Sequence, residues 1–118
     1  MMTVLIVDDN AEMRRLLKSL VRPLAEAAYE CGDGAEALAA YAAHRPDWVL
    51  MDIEMKVMDG VTATKEILAA DPAAKVIVVT DYDHAEWRAA VRAAGACAFV
   101  PKDRLYEIIT LLQPPTGA

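Results

Sequence analysis

Basic residues are in short supply: 12 lysines and arginines stand against 18 aspartates and glutamates, a net charge of −6. That balance argues against nucleic acid or an anionic membrane as a direct partner. Cysteine is scarce too. Cys31 and Cys97 could close one bridge at most, and Cys97 lies in an apolar run. The expectation is two reduced, buried thiols in a cytoplasmic protein. No apolar run approaches the length of a membrane span, and no charged-then-apolar leader opens the chain. Internal repeats and low-complexity segments are also missing. What is left is 118 residues, 56% of them hydrophobic. That suffices for one domain with a core of its own, without metal or disulfide staples.

The apolar residues fall into short runs. Thr3-Val4-Leu5-Ile6-Val7 reads as a buried strand and ends in Asp8-Asp9-Asn10. Asn10 can cap a helix carrying Met13, Leu16, Leu17, Leu20 and Val21, which Pro23 ends. Ala27–Cys31 is a weaker strand signal suited to a sheet edge, followed by a helix with Ala37, Leu38 and Tyr41 on its apolar face. Trp48-Val49-Leu50-Met51 is too short for a buried helix and reads as a strand covered on both faces, ending in Asp52. The turn pair Asp59-Gly60 precedes a third helix bearing Val61, Ile67 and Leu68.

Lys75–Thr80 is the clearest strand. Asp83 is placed to cap a fourth helix through Trp87, Ala90, Val91 and Ala94, with Gly95 as its stop. Cys97–Val100 reads as a last strand, an edge strand because Pro101 lacks a ladder donor. Asp103 is expected to cap a final helix through Leu105, Ile108, Ile109 and Leu112. Residues 1–113 thus form the domain, and 114–118 read as a disordered tail or the start of a linker. Five βα units predict an α/β protein with a five-stranded parallel sheet and helices on both faces.

In a parallel sheet the carboxyl ends of all strands share one edge. Asp8 and Asp9 after strand one, Asp52 after strand three, Thr80 after strand four and Lys102 after strand five therefore converge. Three crowded carboxylates repel one another unless a cation sits among them, so Mg2+ should stabilise the fold. Oxygen ligands with few protein donors suit Mg2+, which completes its shell with water and phosphate oxygens. Lysine and a threonine hydroxyl are suited to hold a transferred phosphoryl group, and one carboxylate can act as nucleophile.

These residues resemble the receiver (CheY-like) domain of two-component response regulators: Val7-Asp8-Asp9, Asp52 with Met55 and Met58-Asp59-Gly60, Thr80, and Lys102. The resemblance spans essentially the whole chain. It implies the flavodoxin-like strand order 2-1-3-4-5 and a signalling switch rather than an enzyme. It makes Asp52 the phosphoacceptor and gives Mg2+ the ligands Asp9, Asp8 (largely through water), Asp52 and the backbone carbonyl of Glu54. Thr80 and Lys102 would contact the phosphoryl group, and Phe99 would be the aromatic switch. The implied partners are a sensor histidine kinase or histidine phosphotransfer protein, then an output partner or effector domain at the helix 4–strand 5–helix 5 face. A homodimer is compatible with the same reading.

Three positions depart from the family pattern. Lys56 stands where proline is usual, Asp103 rather than proline follows Lys102, and Asp81 replaces the small residue usual after the threonine. Asp81 is expected near the pocket mouth, modulating access of phosphodonors. Other families fit less well. Haloacid dehalogenase-type phosphatases separate their two aspartates by one residue, whereas Asp8 and Asp9 are adjacent, and the chain has no length for a substrate cap. A binding module without the chemistry would lack Asp52 or Lys102. A flavin carrier would need a glycine- and hydroxyl-rich loop in place of Asp8–Glu12. His44 and His84 have no ligand spacing, and Trp87 reads as packing or partner contact.

Overall fold

A computed structural model describes residues 2–55, 58–81 and 85–113. Five strands, β1 (Thr3–Val7), β2 (Ala27–Cys31), β3 (Trp48–Asp52), β4 (Val76–Thr80) and β5 (Ala98–Pro101), alternate with helices. The helices are α1 (Ala11–Val21), α2 (Ala37–His44), α3 (Gly60–Ala70), α4 (Ala85–Ala94) and α5 (Tyr106–Leu112). Every strand pairing is parallel, and the order is β2-β1-β3-β4-β5. Both the alternation and the strand order agree with the sequence expectation.

Strand alternation splits the core in two. Leu5, Val7, Val49, Met51, Val76 and Val78 face α2, α3 and α4, where they meet Tyr41, Ala63, Ile67 and Val91. Val4, Ile6, Leu50, Ile77 and Val79 face the other way, onto Leu17 and Val21 of α1 and Ile108 and Leu112 of α5. The three central strands are apolar at both parities because both faces are covered. Each such fully buried aliphatic side chain contributes about 1.5–3 kcal/mol of transfer free energy. β2 and β5 form the edges, with several half-buried positions.

Local signals set most boundaries. The Asn10 side chain accepts a hydrogen bond from the Met13 amide at 2.9 Å and starts α1. Asp59 does the same for α3, accepting from the Thr62 amide at 2.8 Å. Gly95 ends α4 with φ +101°, a left-handed conformation that glycine adopts without strain.

Three expectations need correction. Asp103 caps nothing: it sits inside a 3-10 turn, Lys102–Arg104, and α5 begins only at Tyr106 with no side-chain cap. Leu16 has the helical spacing of its neighbours but is 49% exposed, whereas Leu17 and Val21 are buried and Met13 and Leu20 pack partly buried against the same cluster. Cys97 is exposed, since β5 is an edge strand that begins one residue later; Cys31 is buried, and both thiols are free. Asp83, Lys56, His84 and the 114–118 tail lie outside the described residues. His44 is exposed and stacks on Tyr29, with ring centroids 3.8 Å apart.

Candidate phosphoryl-transfer site

The strand register builds the site. Val7 lies opposite Met51, so Asp8 and Asp52 emerge side by side at the carboxyl edge. Asp52 pairs with Val79 and Thr80 with Pro101, which brings Thr80 and Lys102 to the same edge from the other side. The result is a pocket of about 180 Å³. Its floor is Asp8, Asp52, Thr80 and Lys102; its rim is Asp9, Asn10, Glu54 and Asp81, all four exposed.

Two buried carboxylates share one half-buried cation on that floor. Asp8 and Asp52 are 1% and 5% exposed. The Lys102 ammonium lies 3.4 Å from Asp8 Oδ2 and 3.3 Å from Asp52 Oδ1. One positive charge cannot balance both. Burial first, then the charge of Asp8, push the Asp52 carboxyl up to about 6 despite the opposing pull of Lys102. Burial alone would lower the Lys102 ammonium, but the carboxylates of Asp52, Asp8 and Asp81 outweigh it and raise it.

Asp8 is held firmly. Its Oδ1 accepts from the Asn10 amide at 2.9 Å, its carbonyl accepts from Arg14 Nη1 at 2.7 Å, and its amide donates to the Cys31 carbonyl at 3.1 Å. Arg14 is itself anchored by Glu30 at 3.1 Å. Asp8 Oδ2, by contrast, is buried without a hydrogen bond from any described residue. The charge partner of that oxygen is the Lys102 ammonium, which it shares with Asp52, so a second cation at the site would offset the remaining negative charge. Asp8, Asp9 and Asp52 can each offer one carboxylate oxygen, all within 4.8 Å of one another. An all-oxygen, all-anionic donor set of this kind fits Mg2+.

Residues 4–113 match the family described as the response regulator receiver domain. This chain belongs to that family. Its relatives include the chemotaxis protein CheY of Bacillus subtilis, 40% identical over 111 residues that span 90% of this chain and 92% of that one. The chemotaxis protein CheY of Thermotoga maritima is 42% identical over 100 residues, 84% of this chain and 83% of the relative. Among solved structures, a CheX–CheY–BeF3–Mg2+ complex from Borrelia burgdorferi superposes with a TM-score of 0.82 at 26% identity, covering 96% of this chain and 90% of that one. The protein is therefore a receiver domain, a signalling module whose acidic cluster is consistent with a Mg2+-dependent aspartate phosphoacceptor switch.

The receiver pocket gathers seven of the eight site residues expected from the sequence. Asp8, Asp9, Asp52, Glu54, Thr80, Asp81 and Lys102 all line it. Phe99 does not. It sits in mid-β5, half-buried, with the Arg88 guanidinium 4.7 Å above its ring, and lines a separate cavity of about 150 Å³. Trp87 packs against the larger core and walls a third cavity beside the site, with Met55 and Ile53.

Sequence reasoning missed the residues that position the floor. Arg14 reads as an ordinary surface arginine on α1 but fixes the Asp8 backbone. Gly60 reads as half of a turn, yet it packs against the backbone of Asp52 and its amide donates to the Ile53 carbonyl at 2.9 Å. The Asp59-Gly60 pair at a helix start was the available signal for that close approach. Among the described residues, no helix is long and apolar enough to cross a membrane.

Proposed function

We propose that Asp52 is the phosphoacceptor of this receiver and takes its phosphoryl group from a phosphohistidine on a sensor kinase or phosphotransfer protein. The observation that carries this reading is the pairing of two buried carboxylates with one lysine at the parallel sheet's carboxyl edge. Of the two, Asp52 lies in the central strand at the pocket floor, while Asp8 has one oxygen committed to the Asn10 amide. Asp52 is therefore the carboxylate suited to attack.

Asp8, Asp9 and Asp52, with the Glu54 carbonyl, would hold Mg2+, which when bound supplies positive charge to the transferring oxygens. Lys102 neutralises the same charge from the other side and orients Asp52 for in-line attack. The Thr80 hydroxyl donates to a phosphoryl oxygen once it arrives. Thr80 and Phe99 then bias a two-state equilibrium of the α4–β5–α5 face, where a cytoplasmic output partner, or a second copy of the chain, docks. The receiver identity supports the kinase partner, and the CheX complex of the Borrelia relative supports partner binding by this kind of domain.

The test is to incubate the protein with Mg2+ and phosphoramidate and weigh it intact before and after. Wild type should gain the mass of one phosphoryl group and lose the gain with chelator; Asp52→Asn should gain none. Labelling of Asp52→Asn at the wild-type rate overturns the assignment.

A further inference from the structure

The sign of the charge at the pocket mouth bears on which phosphodonor the site accepts; this inference rests on Asp52 being the phosphoacceptor. The floor carries the only cation among the described lining residues, Lys102, while three of the four rim residues, Asp9, Glu54 and Asp81, are carboxylates. Asp9 is committed to the metal in the reading above, and Glu54 contributes its carbonyl. Asp81 has neither duty. It directly follows Thr80 at the end of β4, is exposed, and stands close enough to Lys102 for its charge to act on the ammonium.

We propose that Asp81 makes the pocket mouth a filter on the donor's leaving group, favouring phosphoramidates, phosphohistidine among them, over acyl phosphates. In-line transfer places the leaving atom opposite the attacking one. With Asp52 on the floor, the leaving group departs towards the rim. One Asp52 oxygen forms the new P–O bond as the donor bond breaks, and the bonding pair stays on the donor atom. From acetyl phosphate that pair leaves on an oxygen, as acetate, and negative charge develops beside Asp81. From phosphoramidate the nitrogen arrives protonated and leaves as neutral ammonia. A phosphohistidine protonated on its other ring nitrogen leaves as neutral imidazole. A carboxylate at the mouth opposes the first departure and attracts the cationic nitrogen of the other two donors.

Asp81→Asn separates charge from bulk, because it keeps the size of the side chain. Phosphorylation rates would be measured by intact mass at saturating Mg2+ with acetyl phosphate and with phosphoramidate, at low and high salt. Neutralisation should raise the acetyl phosphate rate by about tenfold at low salt, with the gain shrinking as salt rises. The phosphoramidate rate should stay level or fall, so donor preference shifts towards the acyl phosphate. Asp81→Ser, neutral and smaller, should shift preference in the same direction. If Asp81→Asn changes both donors by the same factor, or moves preference towards phosphoramidate, the filter is wrong. Asp52→Asn, run in parallel, must label with neither donor; labelling there overturns the phosphoacceptor assignment instead and is distinguishable from a failed filter.

Discussion

Gly60 opens α3 directly against the backbone of Asp52: a Cβ on Gly60 would collide with the Asp52 carbonyl oxygen. The amide of Gly60 meanwhile donates to the Ile53 carbonyl at 2.9 Å. The chain leaving β3 is thus clamped by the start of the next helix. A side chain there must push β3 and α3 apart.

Gly60→Ala should therefore cost about 2–4 kcal/mol, well above the effect of adding a methyl at an open site. Urea unfolding measures it. Phosphorylation should slow as well, because the displaced strand carries Asp52. A cost below about 0.5 kcal/mol, the range of neutral surface changes, would show that the loop yields easily.

Lys102 pairs with both buried carboxylates of the floor. Lys102→Met keeps the stem and removes the charge. The variant should lose about 3–5 kcal/mol at neutral pH without Mg2+, the usual cost of stranding a buried partner. Acid should restore part of that loss by protonating Asp52. Equal losses at pH 5 and pH 8 would contradict this electrostatic picture.

The raised Asp52 carboxyl sets a direction for pH dependence. Its ordinary value is 3.8 and its folded value about 6, so the folded state binds the proton more tightly. Between these values the unfolded chain has already ionised, and metal-free stability should fall as pH rises through that window. The shift corresponds to about 2–3 kcal/mol in wild type, flattened in Asp52→Asn. Melting curves with chelator from pH 4 to 8 check it. Metal-free stability that rises with pH in wild type but not in Asp52→Asn would reverse the sign and refute it.

Much of this could be read in the chain because the signals are local. Val76-Ile77-Val78-Val79 is apolar at both parities, so a strand covered on two faces was legible, and with it the edge where Asp52, Thr80 and Lys102 meet. Asn10 announced α1 by its own side chain. What escaped depends on tertiary placement. Leu16 and Leu17 both fit a helical pattern, and only Leu17 is buried, in the cluster with Val4 and Ile6. Asp103 has the chemistry of a cap but follows Pro101 and Lys102 into a 3-10 turn that leaves it inside, not before, the first helical residues. Arg14 holding the Asp8 carbonyl has no sequence signature, since it spans elements brought together only by the fold.

The most direct measurement of the central claim locates the phosphoryl group chemically. After labelling with Mg2+ and phosphoramidate, borohydride reduces an aspartyl phosphate to homoserine, and peptide mass mapping finds the converted residue. The account predicts homoserine at position 52 alone. Conversion at Asp8 or Asp9, or a protein that carries the phosphoryl mass yet yields no homoserine, would contradict it.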